Sequence, residues 1–520
     1  MNVAPLLESL SYGPAPEDAR EARAWIEEHG RAFGHMIGGT PTQSGETFPV
    51  FDPSRSVELA RCTQGTSSDV DAAVRAARDA QPGWAGRTGH ERARHLYALA
   101  RMVQRHARLF AVLETLNNGK PIRESRDLDI PLVARHFYHH AGWAQVRDRE
   151  LPGAEPVGVC AGIVPWNFPL LMLAWKVAPA LAMGNTVVLK PAEQTPLTAL
   201  LFAELAHKAG LPAGVLNVVT GDGETGAALA AHPDIAKVAF TGSTEIGKLL
   251  RQQTAGSGKR LTLELGGKSP FVVDETADLK KTAEILAWAK YFNNGQTCIA
   301  PDYLLVHESV KTPLLNEIKA VVERMYGTDA AARATSDSYA RIVNQRHFQR
   351  VKGLIDDAAR RGATVLMGGR TNESDNFIEP TLIDGVTDEM QIMQEEIFGP
   401  LLPVVSVKNL DDALAHINSR EKPLALYIHS KKQANIDYLI NRTSAGDTVI
   451  NDAMIHFTNP EMPFGGINNS GIGSYHGYFG FQELSHRRSI LRRQFGTMKF
   501  LFPPYTDRVK KLISWAVRFS

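Results

Sequence analysis

From about residue 155 onward, short apolar runs alternate with helical stretches, and this alternation limits what the 520-residue chain can fold into. The runs are Gly158–Val164, Thr186–Leu189, Val215–Thr220, Lys237–Thr241 and Leu261–Leu265. Helical patterns at 197–209 and 224–231 lie between them. Parallel strands need a long crossover, usually a helix, so the pattern predicts βαβ units on a parallel sheet. A second α/β block follows, with strands expected near 271–273, 303–306, 364–367, 402–406, 425–428 and 448–450. Two α/β lobes leave a cleft between them, where cofactor and substrate can meet. Upstream, Ser67 and Ser68 are expected to cap a helix over 69–80. The apolar series from Leu96 to Leu116 predicts one helix over 91–118, ended by Gly119 and Pro121.

Composition narrows the partners. The chain carries 57 Lys and Arg against 56 Asp and Glu, a net charge of +1. No electrostatic case exists for nucleic acid or an anionic membrane. Three cysteines, Cys62, Cys160 and Cys298, make no disulfide framework and point to a reducing, cytoplasmic setting with a thiol free for chemistry. No metal is implied. The opening residues lack the basic and apolar regions of a secretory signal. Residues 156–175 carry no charge and are long enough to span a membrane. Pro165 and Pro169 would leave backbone groups unsatisfied in lipid, so a buried strand, a tight loop and a buried helix are expected instead.

Two glycine turns follow strands. Gly221 to Gly226 reads GDGETG, the literal dinucleotide fingerprint, with Gly223 at its centre. The turn from Gly242 to Gly247 also opens a helix, and Ser243 there is either an anion contact or simply an N-cap. Lys190 ends a strand and Glu193 follows; the pair can meet a ribose, or be a surface ion pair.

Three residues carry possible chemistry. Cys298 sits among polar and glycine residues, unlike most structural cysteines, and its thiolate would be a nucleophile. Glu264 lies between leucines at a strand end. Burial would raise its pKa toward that of a general base, unless it bonds the backbone N–H groups of Gly266 and Gly267. Asn167, held between two prolines, can donate to an oxyanion beside the Cys298 N–H, or merely form a turn.

Together, PWNFP at 165–169, KPAEQTP at 190–196, FTGSTEIG at 240–247, LELGGKSP at 263–270, GQTC at 295–298, EEIFGP at 395–400 and PFGG at 463–466 resemble the NAD(P)-dependent aldehyde dehydrogenase superfamily, in order, over roughly 45–500. The resemblance implies an α/β aldehyde dehydrogenase fold: a Rossmann-like cofactor domain, an α/β catalytic domain and a small oligomerisation extension. The boundaries it implies are 1–140 and 156–267 for NAD binding and 268–465 for catalysis. Segments 141–155 and 480–500 would bridge subunits, and 501–520 would form an amphipathic tail. It implies Cys298 as nucleophile, Glu264 as base for deacylation, Asn167 as oxyanion donor and Lys176 near the active site. Lys190 and Glu193 would contact the adenosine ribose, and Gly242, Ser243 and Gly247 the pyrophosphate. Glu396 and Phe398 would hold the nicotinamide end, with Pro165, Trp166 and Leu265 also against the cofactor. Gly223 would then only line the adenosine side. NAD is expected, with NADP as an alternative, because Glu193 disfavours a 2′-phosphate.

The likeness changes class along the chain. YGPAPE at 12–17, VFDPS at 50–54 and the stretch through KPAEQTP resemble classes 1, 2 and 16. From about 285–295 onward, GQTCIAPDYLLV, the segment 462–488 and FPPY at 502–505 resemble class 3, which acts on fatty and aromatic aldehydes. Only ten residues, 145–154, stand where most class 1 and 2 members carry a longer bridging hairpin, so a homodimer is expected. The tail, 507–520, is expected to be an amphipathic helix on its own subunit or over the substrate entrance, in preference to a membrane-surface helix. The alternatives are a CoA-acylating enzyme, which would not need Glu264, and a silent scaffold of the same fold.

Overall fold

A computed structural model describes residues 18–43, 45–496 and 502–518; YGPAPE at 12–17 and the opening residues lie outside them. The first large sheet has eight strands in the order Gly471–Ile472, Arg260–Glu264, Lys237–Thr241, Val159–Ile163, Thr186–Lys190, Leu216–Val218, His35–Ile37 and Thr40–Thr42. The five central strands are parallel, and the outer pairings are antiparallel. Chain order reverses on either side of Val159–Ile163, so a crevice opens at the carboxyl ends of the strands. Ile163 pairs with Lys190 and Phe240, and Thr241 pairs with Glu264. Register alone therefore brings four strand ends to one edge.

The second sheet orders Thr364–Met367, Thr381–Asp384, Leu401–Val407, Tyr303–His307, Pro270–Val273, Ala425–His429 and Asp447–Ile450. All neighbours are parallel except Thr364–Met367 against Thr381–Asp384. Thr381–Asp384 is a strand the periodicity did not single out.

The uncharged stretch at 156–175 resolves into strand, loop and helix. Every residue of Val159–Ile163 and of the helix Pro169–Met183 is buried. Pro169 sits in the helix's first turn, where its missing N–H costs nothing, and Gly184 closes it in a left-handed conformation at φ 103°. No described helix is long and apolar enough to cross a membrane.

Two local expectations need correction. The first helix spans Ser67–Ala85, and its cap is Thr66, not Ser67 or Ser68. Thr66 and Asp69 bond each other's backbone N–H groups, which satisfies two otherwise orphaned donors. The stretch 91–118 is two helices, Gly89–Arg105 and Ala107–Asn118, broken at His106. The second of these does end at Gly119, left-handed at φ 89°. In the tail helix Asp507–Arg518, Val509 and Ile513 are half-buried and Leu512, Trp515 and Val517 are exposed.

The short segment at 145–154 continues the helix Ile130–Glu150 and then turns into Ala154–Pro156. That strand pairs antiparallel with Ser485–Arg487 of the same chain.

Candidate active site

A cleft of about 1420 Å³ runs between the two sheets, and Cys298 stands on its wall, partly exposed. Most of the residues singled out by sequence line this one cleft. They are Pro165, Trp166, Asn167, Lys190, Glu193, Gly223, Gly242, Ser243, Glu264, Cys298, Glu396 and Phe398. Lys176, Gly247 and Leu265 do not line it.

The loop before Cys298 has an unusual backbone. Asn293, Asn294 and Gly295 are successively left-handed, with φ of 45°, 58° and 71°. Asparagine and glycine tolerate this conformation best. Gln296, fully buried, bolts the loop down: its amide donates to Arg341 O at 3.0 Å and its oxygen accepts from Val343 N at 3.0 Å. Asn167 Nδ2 donates to Gln296 O at 3.0 Å, and Asn293 Nδ2 donates to Asn167 O at 3.1 Å. The amide nitrogen of Asn167 keeps a second N–H for another acceptor.

Glu264 is buried, and its carboxylate faces the Cys298 thiol and the Thr241 hydroxyl without a hydrogen bond of full geometry. The expected contact to Gly266 and Gly267 is absent; the Gly267 N–H serves the Glu396 carboxylate instead. Gly266 is required here, because a Cβ on it would lie 2.0 Å from Glu396 Oε2. Burial pushes the Glu264 pKa up to about 7, against the pull of Lys176, Cys298 and Thr241. A buried carboxylate so weakly bonded is costly, and such groups cluster at functional sites.

The Cys298 thiol was expected to be ionised, and its surroundings argue otherwise. Burial first, then the Glu264 and Glu396 carboxylates, push its pKa well above the ordinary thiol value, while its own backbone N–H pulls the other way. It therefore stands as a thiol beside a base.

Lys176 lies behind the cleft wall. Its Nζ donates to Thr241 Oγ1 at 2.6 Å and sits 4.6 Å from the centre of the Tyr475 ring. Burial lowers its pKa to about 7, and Glu264 and Cys298 oppose that shift. Thr241 and Tyr475 are members of this cluster that sequence reasoning missed; Thr241 was legible only as a strand terminus.

At the far end of the cleft, Lys190 Nζ lies 3.6 Å from Glu193 Oε2, and Gln194 braces the other oxygen at 2.9 Å. The two glycine turns differ. Asp222 caps the helix Gly223–Ala231 with its own carboxylate, accepting from Glu224 N and Thr225 N. That helix end is closed to another anion. Neutral Ser243 caps the helix Thr244–Thr254 through its hydroxyl, so the cap itself is not a carboxylate, although Glu245 stands in the first turn. Gly247 faces inward, where a Cβ would lie 2.5 Å from Leu265 Cδ2. Gly247 and Leu265 thus pack the turn from behind.

The loop with Glu396 and Phe398 is clamped by residues the sequence did not reveal. Lys268 Nζ donates to Asp302 Oδ2 at 2.5 Å, to Ile392 O at 2.8 Å and to Glu395 O at 2.9 Å. Arg350 donates to Glu396 O at 3.2 Å and Ile397 O at 2.6 Å. Phe398, itself left-handed at φ 45°, meets the Trp166 ring edge-on at 5.3 Å.

A doubly wound sheet with a nucleotide-sized cleft, and a thiol and carboxylate on its wall, define a dinucleotide-dependent oxidoreductase. The chain belongs to the aldehyde dehydrogenase family: the model described as "Aldehyde dehydrogenase family" matches residues 40–490. Aldehyde dehydrogenase family 2 member B4, mitochondrial, from Arabidopsis thaliana is 38% identical over 469 residues, covering 86% of this chain and 85% of its own. The NAD+ complex of an aldehyde dehydrogenase from Bacillus cereus superposes with a TM-score of 0.84 at 35% identity, covering 90% of this chain and 97% of its own. An NADP-dependent enzyme from E. coli gives a TM-score of 0.81 at 34% identity, covering 88% and 97%. The chain is an NAD(P)-dependent enzyme that oxidises aldehydes.

Proposed function

We propose that the chain converts an apolar aldehyde, medium or long aliphatic or aromatic, to its carboxylic acid through a thioester on Cys298. The observation that carries this reading is the buried Glu264 carboxylate facing the Cys298 thiol. Sγ attacks the carbonyl carbon, forming a C–S bond while Glu264 takes the thiol proton. The Asn167 amide and the Cys298 N–H hold the resulting oxyanion. Glu396, Phe398 and Ser243 would hold a nicotinamide dinucleotide, which would supply the hydride acceptor, so that oxidation of the carbon bound to Cys298 would leave a thioester. Glu264, once it has released the thiol proton to solvent, takes a proton from water; the hydroxide adds to the thioester, the C–S bond breaks, and Glu264 returns its proton to the leaving thiolate.

The cleft residues fit such a cofactor. The Gly266 cradle admits the Glu396 carboxylate, and the helix capped by neutral Ser243 presents its N-terminus to the cleft. Glu193 places negative charge beside Lys190, which favours NAD over a 2′-phosphate. The apolar substrate class is supported by Phe168, Leu171, Met172, Trp175, Phe457 and Phe464 along the cleft.

A homodimer in the cytoplasm completes the reading. Ile490, Leu491 and Phe495 follow the strand Ser485–Arg487 and are 76%, 92% and 89% exposed. An exposed apolar run of this kind marks an interface. Light scattering of wild type and Leu491→Asp tests it: a dimer that dissociates in the variant supports the reading, and a monomeric wild type contradicts it. The reaction is tested by NADH formation from hexanal, decanal, benzaldehyde and a semialdehyde, with NAD and NADP in parallel. Preference for decanal or benzaldehyde with NAD is expected; preference for the semialdehyde contradicts the substrate class, and a CoA requirement contradicts hydrolysis.

A further inference from the structure

Beneath the two loops that carry Asn167 and Cys298 lies a segment that the chemistry above does not use. After the helix Ala107–Asn118 ends, Pro121 starts a short turn, Ile122–Glu124, which widens into a five-residue π turn, Ser125–Asp129. Such wide turns recur at functional sites.

Three contacts of this segment fall next to one of the two loops. Asn118 Nδ2 donates to Trp166 O at 2.7 Å, one residue before Asn167. Lys120 Nζ, buried and held by Asp129 Oδ2 at 2.6 Å, lies 4.1 Å from the centre of the Phe168 ring, one residue after it. Glu124 Oε2 accepts the backbone N–H of Asn293 at 3.0 Å. Asn293 opens the left-handed run that leads to Cys298, and its side chain holds Asn167 O. Left-handed asparagines persist only where the surroundings over-determine them. Glu124 supplies that restraint from outside the loop.

We propose that Glu124 is a positioning residue: by accepting the Asn293 N–H, it fixes the left-handed run and so sets the Cys298 N–H and the Asn167 amide at a common oxyanion site. Asn118 and Lys120 hold the second loop from the same segment, so one scaffold registers both donors. Misplacement of a reacting group by about 1 Å can cost on the order of 10²-fold in rate.

The inference rests on the proposed roles of Cys298 and Asn167, and the experiment separates the two. Single-turnover NADH formation is measured with decanal and saturating NAD, together with NAD affinity and the rate of Cys298 alkylation by iodoacetamide. Glu124→Ala is expected to slow the single turnover at least tenfold and to change the alkylation rate, with NAD affinity unchanged. Glu124→Gln keeps an oxygen acceptor for the same N–H and is expected within about threefold of wild type. A merely structural role would not separate these two variants by turnover at equal NAD affinity. Asn293→Gly retains the N–H and suits the left-handed backbone, losing only the tie to Asn167 O; a severalfold slowing is expected. Should Glu124→Ala not fold, the other two variants decide. Wild-type turnover in Glu124→Ala or in Asn293→Gly, or Glu124→Gln as slow as Glu124→Ala, overturns the inference. Cys298→Ala is the control. NADH formation in that variant would remove the underlying reading, whereas a silent Cys298→Ala beside a fully active Glu124→Ala removes the positioning role alone.

Discussion

Asn167 donates its side-chain N–H to the carbonyl oxygen of Gln296 at 3.0 Å, two residues ahead of Cys298. This bond joins the two sheets at the point where the chemistry is expected. One loop extends from the strand Val159–Ile163 of the first sheet; the other precedes the strand Tyr303–His307 of the second. Replacing Asn167 by Ala should therefore remove both the oxyanion donor and the tie. A fall in kcat of about 10²- to 10³-fold is expected, with NAD affinity little changed. Steady-state kinetics beside NAD titration by fluorescence checks this, and an unchanged kcat would remove Asn167 from the site.

Glu264 gives the reaction a pH dependence of known sign. Its pKa is raised to about 7, and only its ionised form can act as base. Turnover should rise with pH through about 7. Glu264→Gln should lose that limb, and if deacylation becomes limiting, a burst of NADH should precede a slow steady state. A profile that is unaltered in the variant would exclude Glu264 as the base.

Lys176 sets where that limb falls. Its positive charge holds the Glu264 pKa below what burial alone would give. Removing the charge in Lys176→Met should raise the Glu264 pKa, so the rising limb moves to higher pH. Kinetic pH profiles of the two proteins measure the shift, and movement to lower pH contradicts the assigned coupling.

Gly266 tests the cradle for Glu396. A Cβ there would meet the carboxylate at 2.0 Å, so Gly266→Ala must displace a side chain rather than backbone. Stability should change little, while hydride transfer should slow by on the order of 10²-fold. Thermal denaturation and single-turnover kinetics separate the two effects.

Much of this was legible before any coordinates. Strand positions follow from apolar runs because parallel strands are buried on both faces, whereas the order of those strands in the sheet does not. The uncharged stretch at 156–175 was read as strand, loop and helix because two prolines interrupt it. What escaped depends on distant contacts. Lys268 and Asp302 clamp the Glu396 loop across 34 residues of sequence, and Arg350 reaches it from a helix, Gln345–Arg360, with no motif of its own. The ionisation of Cys298 was misjudged because the nearby carboxylates that oppose it, Glu264 and Glu396, lie far away in the chain.

That exposed tail makes a stability prediction. The helix Asp507–Arg518 buries none of its residues, so a chain ending at Thr506 should keep its Tm within about 1 °C and its turnover. A large fall in Tm would mean that the tail packs on a second subunit.

The central claim is that the acyl group passes through the sulfur of Cys298. Glu264→Gln protein should be mixed with decanal and NAD, quenched in acid and digested, and its peptides weighed. The account predicts a decanoyl adduct on the peptide containing Cys298, appearing as fast as NADH forms. NADH formed with no adduct on that peptide, or with the adduct on Cys62 or Cys160, would contradict it.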